Sequence, residues 1–337
     1  MHYQPRPEDV RFLLNAVLDA PTRLRALAPF SEVDEALQSQ VLEEAGRFVG
    51  EVIAPINREG NEVGCRFDNG EVVTPPGFRA AYQAFVDGGW PALSAATEDG
   101  GQGLPAVLEA ILYEWLSAAS HGFTMAPGLL HGAYACLKHH GSDELKSRYL
   151  QKIATGEWLA TMCLTEVHAG SDLDQVRTRA TAQADGSVRV NGSKIFISGG
   201  EHDLTPNIVH LVLCRLPAGP KGLSLALVPK VLPDGARNAV HCERIEEKMG
   251  LHGSPTCTMR FDDATGWLVG EPGRGLAAMF VMMNVALQGI GLLDAAWQKA
   301  DAYAADLIAE HPAVRRILDT HSAPGSTARA RWPTAAL

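Results

Sequence analysis

Cysteine is scarce in this 337-residue chain, basic clusters are missing, and no apolar leader opens it. The six cysteines (Cys65, Cys136, Cys163, Cys214, Cys242 and Cys257) are scattered, with no CxxC pair and no zinc-ligand spacing. They read as reduced thiols, with no metal site. Lys and Arg total 29 against 39 Asp and Glu, a formal net charge of −10. Nucleic acid is held mainly through clustered cations, so it is excluded as a partner. The start, MHYQPRPEDV, lacks the apolar core of a secretory signal, and the expected location is cytoplasmic. The longest uncharged run, Leu276 to Leu293, just reaches membrane-spanning length. It carries Asn284, Gln288 and two glycines and has no companion span or aromatic belt, so a buried bundle helix is expected and no membrane span.

What is present divides by period. From Glu8 to about Gly156 apolar residues recur at three and four, as in VRFLLNAVLDA, VLEEAGRFVGEVI and PAVLEAILYEWLSAA, the last with Pro105 at a helix start. From about Leu164 to Leu268 short β-type runs follow: RTRATAQ, SVRV, KIFIS, IVHLVLC and LSLALV. Asn191-Gly192, between SVRV and SKIFIS, predicts a hairpin turn. After Gly270 helical spacing returns. The expected fold is α+β and multidomain: a helical N-terminal domain (1–160), an antiparallel β-barrel-like middle domain (161–270) and an incomplete C-terminal helical bundle (271–320). Residues 321–337 are expected to be an aberrant tail without a core pattern.

The stretch CLTEVHAGSD, Cys163 to Asp172, falls where helix gives way to sheet. Its amides and the hydroxyls of Thr165 and Ser171 suit a polar ring edge or a phosphate, although a plain domain connection is the alternative. Other candidates weaken. Gly273, Gly275 and Ala278 have dinucleotide-type spacing, but GWLV is too short a first strand and too little chain follows for a parallel sheet. His131, His139 and His140 have no carboxylate or cysteine at ligand spacing, and Ser254 in HGSP lacks a nucleophile elbow.

Four segments stand in order: WPALSAATEDGGQGLP (90–105), GSDELKSRYLQKIATGEWLATMCLTEVHAGSD (141–172), VNGSKIFISGGEHD (190–203) and KMGLHGSPTC (248–257). Together they resemble the flavin-dependent acyl-CoA dehydrogenase family, most closely its 3-methylmercaptopropionyl-CoA dehydrogenase-like branch, over roughly residues 1 to 300. The resemblance implies FAD as cofactor, an acyl-CoA thioester as substrate, an electron-transfer acceptor as partner and a homo-oligomeric assembly. It further implies that Met162, Leu164 and Thr165 lie against the flavin, that Ser171 serves its substrate side, and that Phe196 and Ser198 stand beside the isoalloxazine, where the family often has Trp and Thr. These types suit a ring with an apolar face and a polar rim, because fixed donors at the rim favour the anionic reduced flavin. Without the resemblance, Phe196 reads as a strand aromatic facing the core.

The implied reaction takes an α-proton to a carboxylate base and passes the β-hydrogen to the flavin as hydride. No acid occurs from Gly275 to Leu293, one of the places that base comes from, and an Arg expected after MMNVA is missing. The catalytic residue is therefore unassigned. The sequence reading is of a shortened, catalytically incomplete member of the family, with a non-catalytic flavin- or partner-binding remnant as the alternative.

Overall fold

A computed structural model describes residues 3–217, 219 and 222–283, which fall into two compact units. In described residues the first comprises 3–58 and 102–124, and the second 59–101 and 125–283.

The first unit is helical. Helix Glu35–Phe48 begins where the Asp34 carboxylate accepts the Leu37 amide (2.8 Å), satisfying one orphan donor of the first turn. Its inward residues Gln38, Leu42 and Ala45, continued by Val49 and Ile53, follow the helical period. Helix Ala106–Thr124 opens directly after Pro105, is buried on almost every side, and is broken at Ser120 (φ −154°, ψ 89°). An all-round apolar helix of this kind needs cover on every face, and helix Glu35–Phe48 supplies part of it.

The second unit holds a seven-stranded sheet: β3 (Leu159–Cys163), β4 (Arg179–Ala182), β5 (Val188–Ser198), β6 (Ile208–Cys214), β7 (Ser224–Pro229), β8 (Val240–Ile245) and β9 (Thr256–Val269). They follow β1 (Arg66–Asp68) and β2 (Glu71–Val73), which form a separate hairpin. The order is β3-β6-β7-β9-β5-β4, with β8 also paired to β9. Val190, Ile197, Val212, Val228, Met259 and Phe261 belong to one buried apolar cluster of this sheet.

The structure departs from the sequence reading in three places. The sheet is not wholly antiparallel, because β3 runs parallel to β6 from Leu159–Ile208 to Cys163–Val212. The expected barrel-like closure is limited to a bridge at Arg179 and Arg215, where the Ala180 amide donates to Arg215 O and the Arg215 amide to Thr178 O (both 2.8 Å). Asn191-Gly192 is no hairpin turn: β5 runs straight through it with a register shift against β9. Glycine is required there for space, since a Cβ would sit 2.4 Å from Thr178 Oγ1. The working Asn-Gly turn is Asn69-Gly70 between β1 and β2, both residues at positive φ (49° and 89°), inside a region read as helical.

The dinucleotide-like glycines, already set aside on sequence, have a packing role. Gly275 starts helix Gly275–Met283, its amide donates to Leu223 O (2.7 Å), and a Cβ there would stand 2.2 Å from the Ser224 carbonyl carbon. The spacing serves close packing of helix on strand β7. The remainder of the expected bundle helix, the rest of 271–320 and the tail 321–337 lie outside the described residues from 284 onward. Among the described residues no helix is long and apolar enough to cross a membrane.

Candidate functional site

β3 ends at Cys163, and the chain emerges through half-buried Leu164 and Thr165 into a tight turn. Glu166 and Ala169 exchange backbone hydrogen bonds (2.9 and 3.0 Å), leaving Val167 and His168 exposed at the tip. The Ile195 amide of β5 donates to Thr165 O (2.9 Å), joining the two sequence motifs. Met162, Leu164, Thr165, Phe196 and Ser198 are therefore gathered where β3 and β5 approach. Ser171 stands six residues past Thr165, exposed, and no hydrogen bond ties it to the other five among the described residues.

Phe196 is the anomaly of this region. It has φ +60°, lies in the irregular register between Lys194 and Ile197, and leaves 59% of its surface exposed. A non-glycine residue in the left-handed region costs about 1–2 kcal/mol, and an exposed aromatic ring contributes little to folding. Neither feature helps stability, and the core-facing alternative for this aromatic does not hold. Beside it, the Thr165 and Ser198 hydroxyls form no hydrogen bond among the described residues. A flat aromatic partner with a polar rim matches this set, so the residues fit an isoalloxazine.

Behind this surface sits a buried ion pair. Lys194, with a fully buried side chain, donates to Leu164 O (2.8 Å) and Glu166 Oε1 (2.9 Å). Glu166 also accepts the Arg177 amide (2.7 Å), the Thr178 amide (3.0 Å) and the Thr178 hydroxyl (2.6 Å), and its Oε2 lies 3.2 Å from His168 Nε2. Burial alone would raise the Glu166 carboxyl, but Thr178, the Arg177 amide and Lys194 together hold it at about 2. Burial lowers the Lys194 ammonium, with Glu166 opposing that trend. Both motifs were legible in the sequence, yet their charged members were given no role there. The inward lysine is hidden because the β5 irregularity breaks the alternation that would have flagged it.

A second buried cluster was not foreseen. Glu201 accepts from Lys230 in a short ion pair and lies 3.2 Å from Arg237 Nη2, while Glu71 of β2 approaches both cations (3.6 and 3.7 Å). Nearby, His210 in the middle of β6 pairs its Nδ1 with Thr161 Oγ1 (2.8 Å), and His202 Nδ1 accepts the Leu204 amide (3.3 Å). Burial pushes both imidazoles down to about 3, with the Lys230 charge adding to the effect. Their folded values lie below the ordinary 6.5, so the unfolded chain takes up more protons, and stability present above pH 6.5 is lost as pH falls towards 3. Glu166 adds a second loss between about 4.5 and 2. The melting temperature is therefore expected to decline below pH 6.5, before carboxylates titrate. His210→Asn should flatten the decline between 6.5 and 4.5 in a melting series across pH; an unchanged slope would contradict this assignment.

A cavity of about 330 Å³ lies among Cys65, Ile245, Lys248, His252 and Ser254. Burial pushes the Cys65 thiol up to about 12, which removes it as a thiolate nucleophile at neutral pH. No group of three His, Cys, Asp or Glu able to hold a metal occurs among the described residues.

A helical N-terminal part followed by a sheet-built middle part, with two loop motifs meeting at the sheet's end, defines the class of this chain. Residues 35–157 match the acyl-CoA dehydrogenase N-terminal domain and residues 161–264 the acyl-CoA dehydrogenase middle domain. The chain belongs to the acyl-CoA dehydrogenase family. It is 43% identical to 3-methylmercaptopropionyl-CoA dehydrogenase of Ruegeria pomeroyi over 94% of this chain and 59% of that protein. It is 35% identical to a broad-specificity linear acyl-CoA dehydrogenase of Mycobacterium tuberculosis over 98% of this chain and 60% of that one. The chain thus spans about three fifths of the length of these relatives. Among solved structures, butyryl-CoA dehydrogenase from Megasphaera elsdenii shares the fold at TM-score 0.75 and 22% identity, over 89% of this chain and 78% of that one.

Proposed function

We propose that this chain binds FAD at the junction of its two motifs and serves the α,β-dehydrogenation of an acyl-CoA thioester. The carrying observation is Phe196: a strained, solvent-exposed aromatic one residue from the Ile195–Thr165 bond has no structural benefit and the right chemistry for a flavin face. Phe196 supplies the apolar wall. The Thr165 and Ser198 hydroxyls and the adjoining amides supply fixed donors for the ring's polar rim, while Met162 and Leu164 line the apolar side. Ser171 faces the substrate side of the loop. Bound here, FAD would supply the hydride acceptor for the thioester's β-carbon. The protein's share is to exclude water, orient the ring and favour the negative charge that reduction adds. The proton acceptor for the α-carbon is unassigned within 3–283, and helix Gly275–Met283 carries no acid.

The relative from Ruegeria pomeroyi suggests a short thioether acyl-CoA as substrate, and an electron-transfer protein as acceptor and a homo-oligomeric assembly complete the proposal. The same reading divides the chain into 1–160, 161–270, 271–320 and 321–337. Anaerobic addition of acyl-CoAs, 3-methylmercaptopropionyl-CoA among them, to the FAD-loaded chain tests the chemistry. Thioester-dependent bleaching of the flavin is the result the dehydrogenase reading requires, and the catalytically incomplete reading of the sequence requires none. A bound flavin that stays oxidised with every thioester would contradict the dehydrogenase reading and leave a flavin-binding one.

A further inference from the structure

We propose that the buried Glu166–Lys194 pair is a charge-balanced positioning unit for the flavin, acting through Leu164 and Thr165 without touching the ring. This inference rests on the flavin reading above and deepens it.

Three observations carry it. Lys194 is fully buried yet spends one hydrogen bond on a loop carbonyl, Leu164 O, and another on Glu166. Glu166 in turn gathers the Arg177 amide and both donors of Thr178, so a single carboxylate fixes the far end of the 164–178 loop. Two residues beyond Lys194 stands Phe196, whose positive φ only a well-determined surrounding can hold. The pair therefore spans the same gap as the Ile195–Thr165 bond and sets the spacing between the rim donors and the aromatic wall. A hydrophobic contact could brace the loop equally well, and replacing a buried ion pair by apolar residues is often neutral or stabilising. What a hydrophobic brace cannot supply is opposite charges immediately behind a ring that gains negative charge on reduction. With both partners present the charges cancel. Removing either leaves an uncompensated charge beside the site, of opposite sign in the two cases.

The test uses the full-length chain loaded with FAD and the variants Lys194→Met, Lys194→Arg, Glu166→Gln and the Lys194→Met/Glu166→Gln double. The readouts are the flavin midpoint potential, its visible circular dichroism and FAD affinity. Lys194→Met should lower the potential, because Glu166 is left as an unpaired negative charge, and Glu166→Gln should raise it. The double variant should return towards the parent, and Lys194→Arg should retain most of the parent behaviour. FAD affinity in the single variants should fall about tenfold, the lower end of what outer partners of a bound group typically contribute.

Potential shifts of the same sign in both single variants, or none in the flavin that remains bound, would reduce the pair to a structural brace and overturn the proposal. Hydrogen exchange without FAD guards against a folding artefact: Glu166→Gln should speed exchange at Arg177, Thr178 and Ile195 while the β6 and β9 amides stay protected, and exchange unchanged at all three would also overturn it. A parent chain that takes up no FAD would instead refute the flavin reading itself.

Discussion

Replacing Phe196 with glycine is expected to leave the melting temperature within a few degrees of the parent while FAD affinity falls about tenfold or more. The stability side follows from two opposed effects. Releasing a non-glycine residue from φ +60° returns about 1–2 kcal/mol, and the added freedom of glycine in the unfolded chain costs about 0.5–1 kcal/mol. Little buried apolar surface is lost, because more than half of the ring is exposed. The affinity side follows from losing the only exposed aromatic among the proposed contacts, where a ring–ring contact contributes about 0.5–1.5 kcal/mol beyond its buried area. Melting curves and an FAD titration on one preparation measure both. A large drop in melting temperature with unchanged FAD affinity would mean that the ring serves folding.

Glu201→Ala is expected to be the most damaging single change outside the proposed flavin surface, costing about 3–5 kcal/mol. The carboxylate is buried, and three donors converge on it: Lys230, Arg237 and the His202 amide at 2.9 Å. Its removal leaves the Lys230 ammonium, itself nearly buried, with only the exposed Glu71 carboxylate at 3.7 Å and two imidazoles that stay neutral. For a unit of this size the loss amounts to a fall of about 10 °C or more in melting temperature. Lys230→Met in the same background should recover much of it, since the uncompensated charge is then gone. A small effect of the single change, or no recovery in the double, would show that solvent reaches the cluster.

The two positions differ in how far sequence could have found them. Phe196 was singled out through the resemblance carried by VNGSKIFISGGEHD, while its residue type alone read as a core-facing strand aromatic, and the loop around Thr165 stood out as a dense patch of small polar groups. Period reading gave the helical first half and strand β6, whose unbroken apolar run IVHLVLC is buried throughout. It missed β3, which falls between the helical period ending near Gly156 and the β-type runs beginning near Leu164, because a strand buried on nearly every residue has no alternation to detect. It also trusted the wrong Asn-Gly pair. At 69–70 both residues take the left-handed conformation a tight turn needs, whereas at 191–192 the glycine answers to the closeness of Thr178. Glu201 lies in the motif VNGSKIFISGGEHD yet was given no role, and Lys230 and His210 carry no local signature, since their partners Glu201 and Thr161 stand 29 and 49 positions away in the chain.

Hydrogen exchange of the full-length chain with and without saturating FAD tests the central claim most directly. New protection is expected at the amides of 162–171 and 195–199, the two segments joined by the Ile195–Thr165 bond, with the Asn69-Gly70 hairpin and the cavity around Lys248 unchanged. FAD-dependent protection confined to other segments, or none while FAD is demonstrably bound, would contradict the placement of the flavin at this junction.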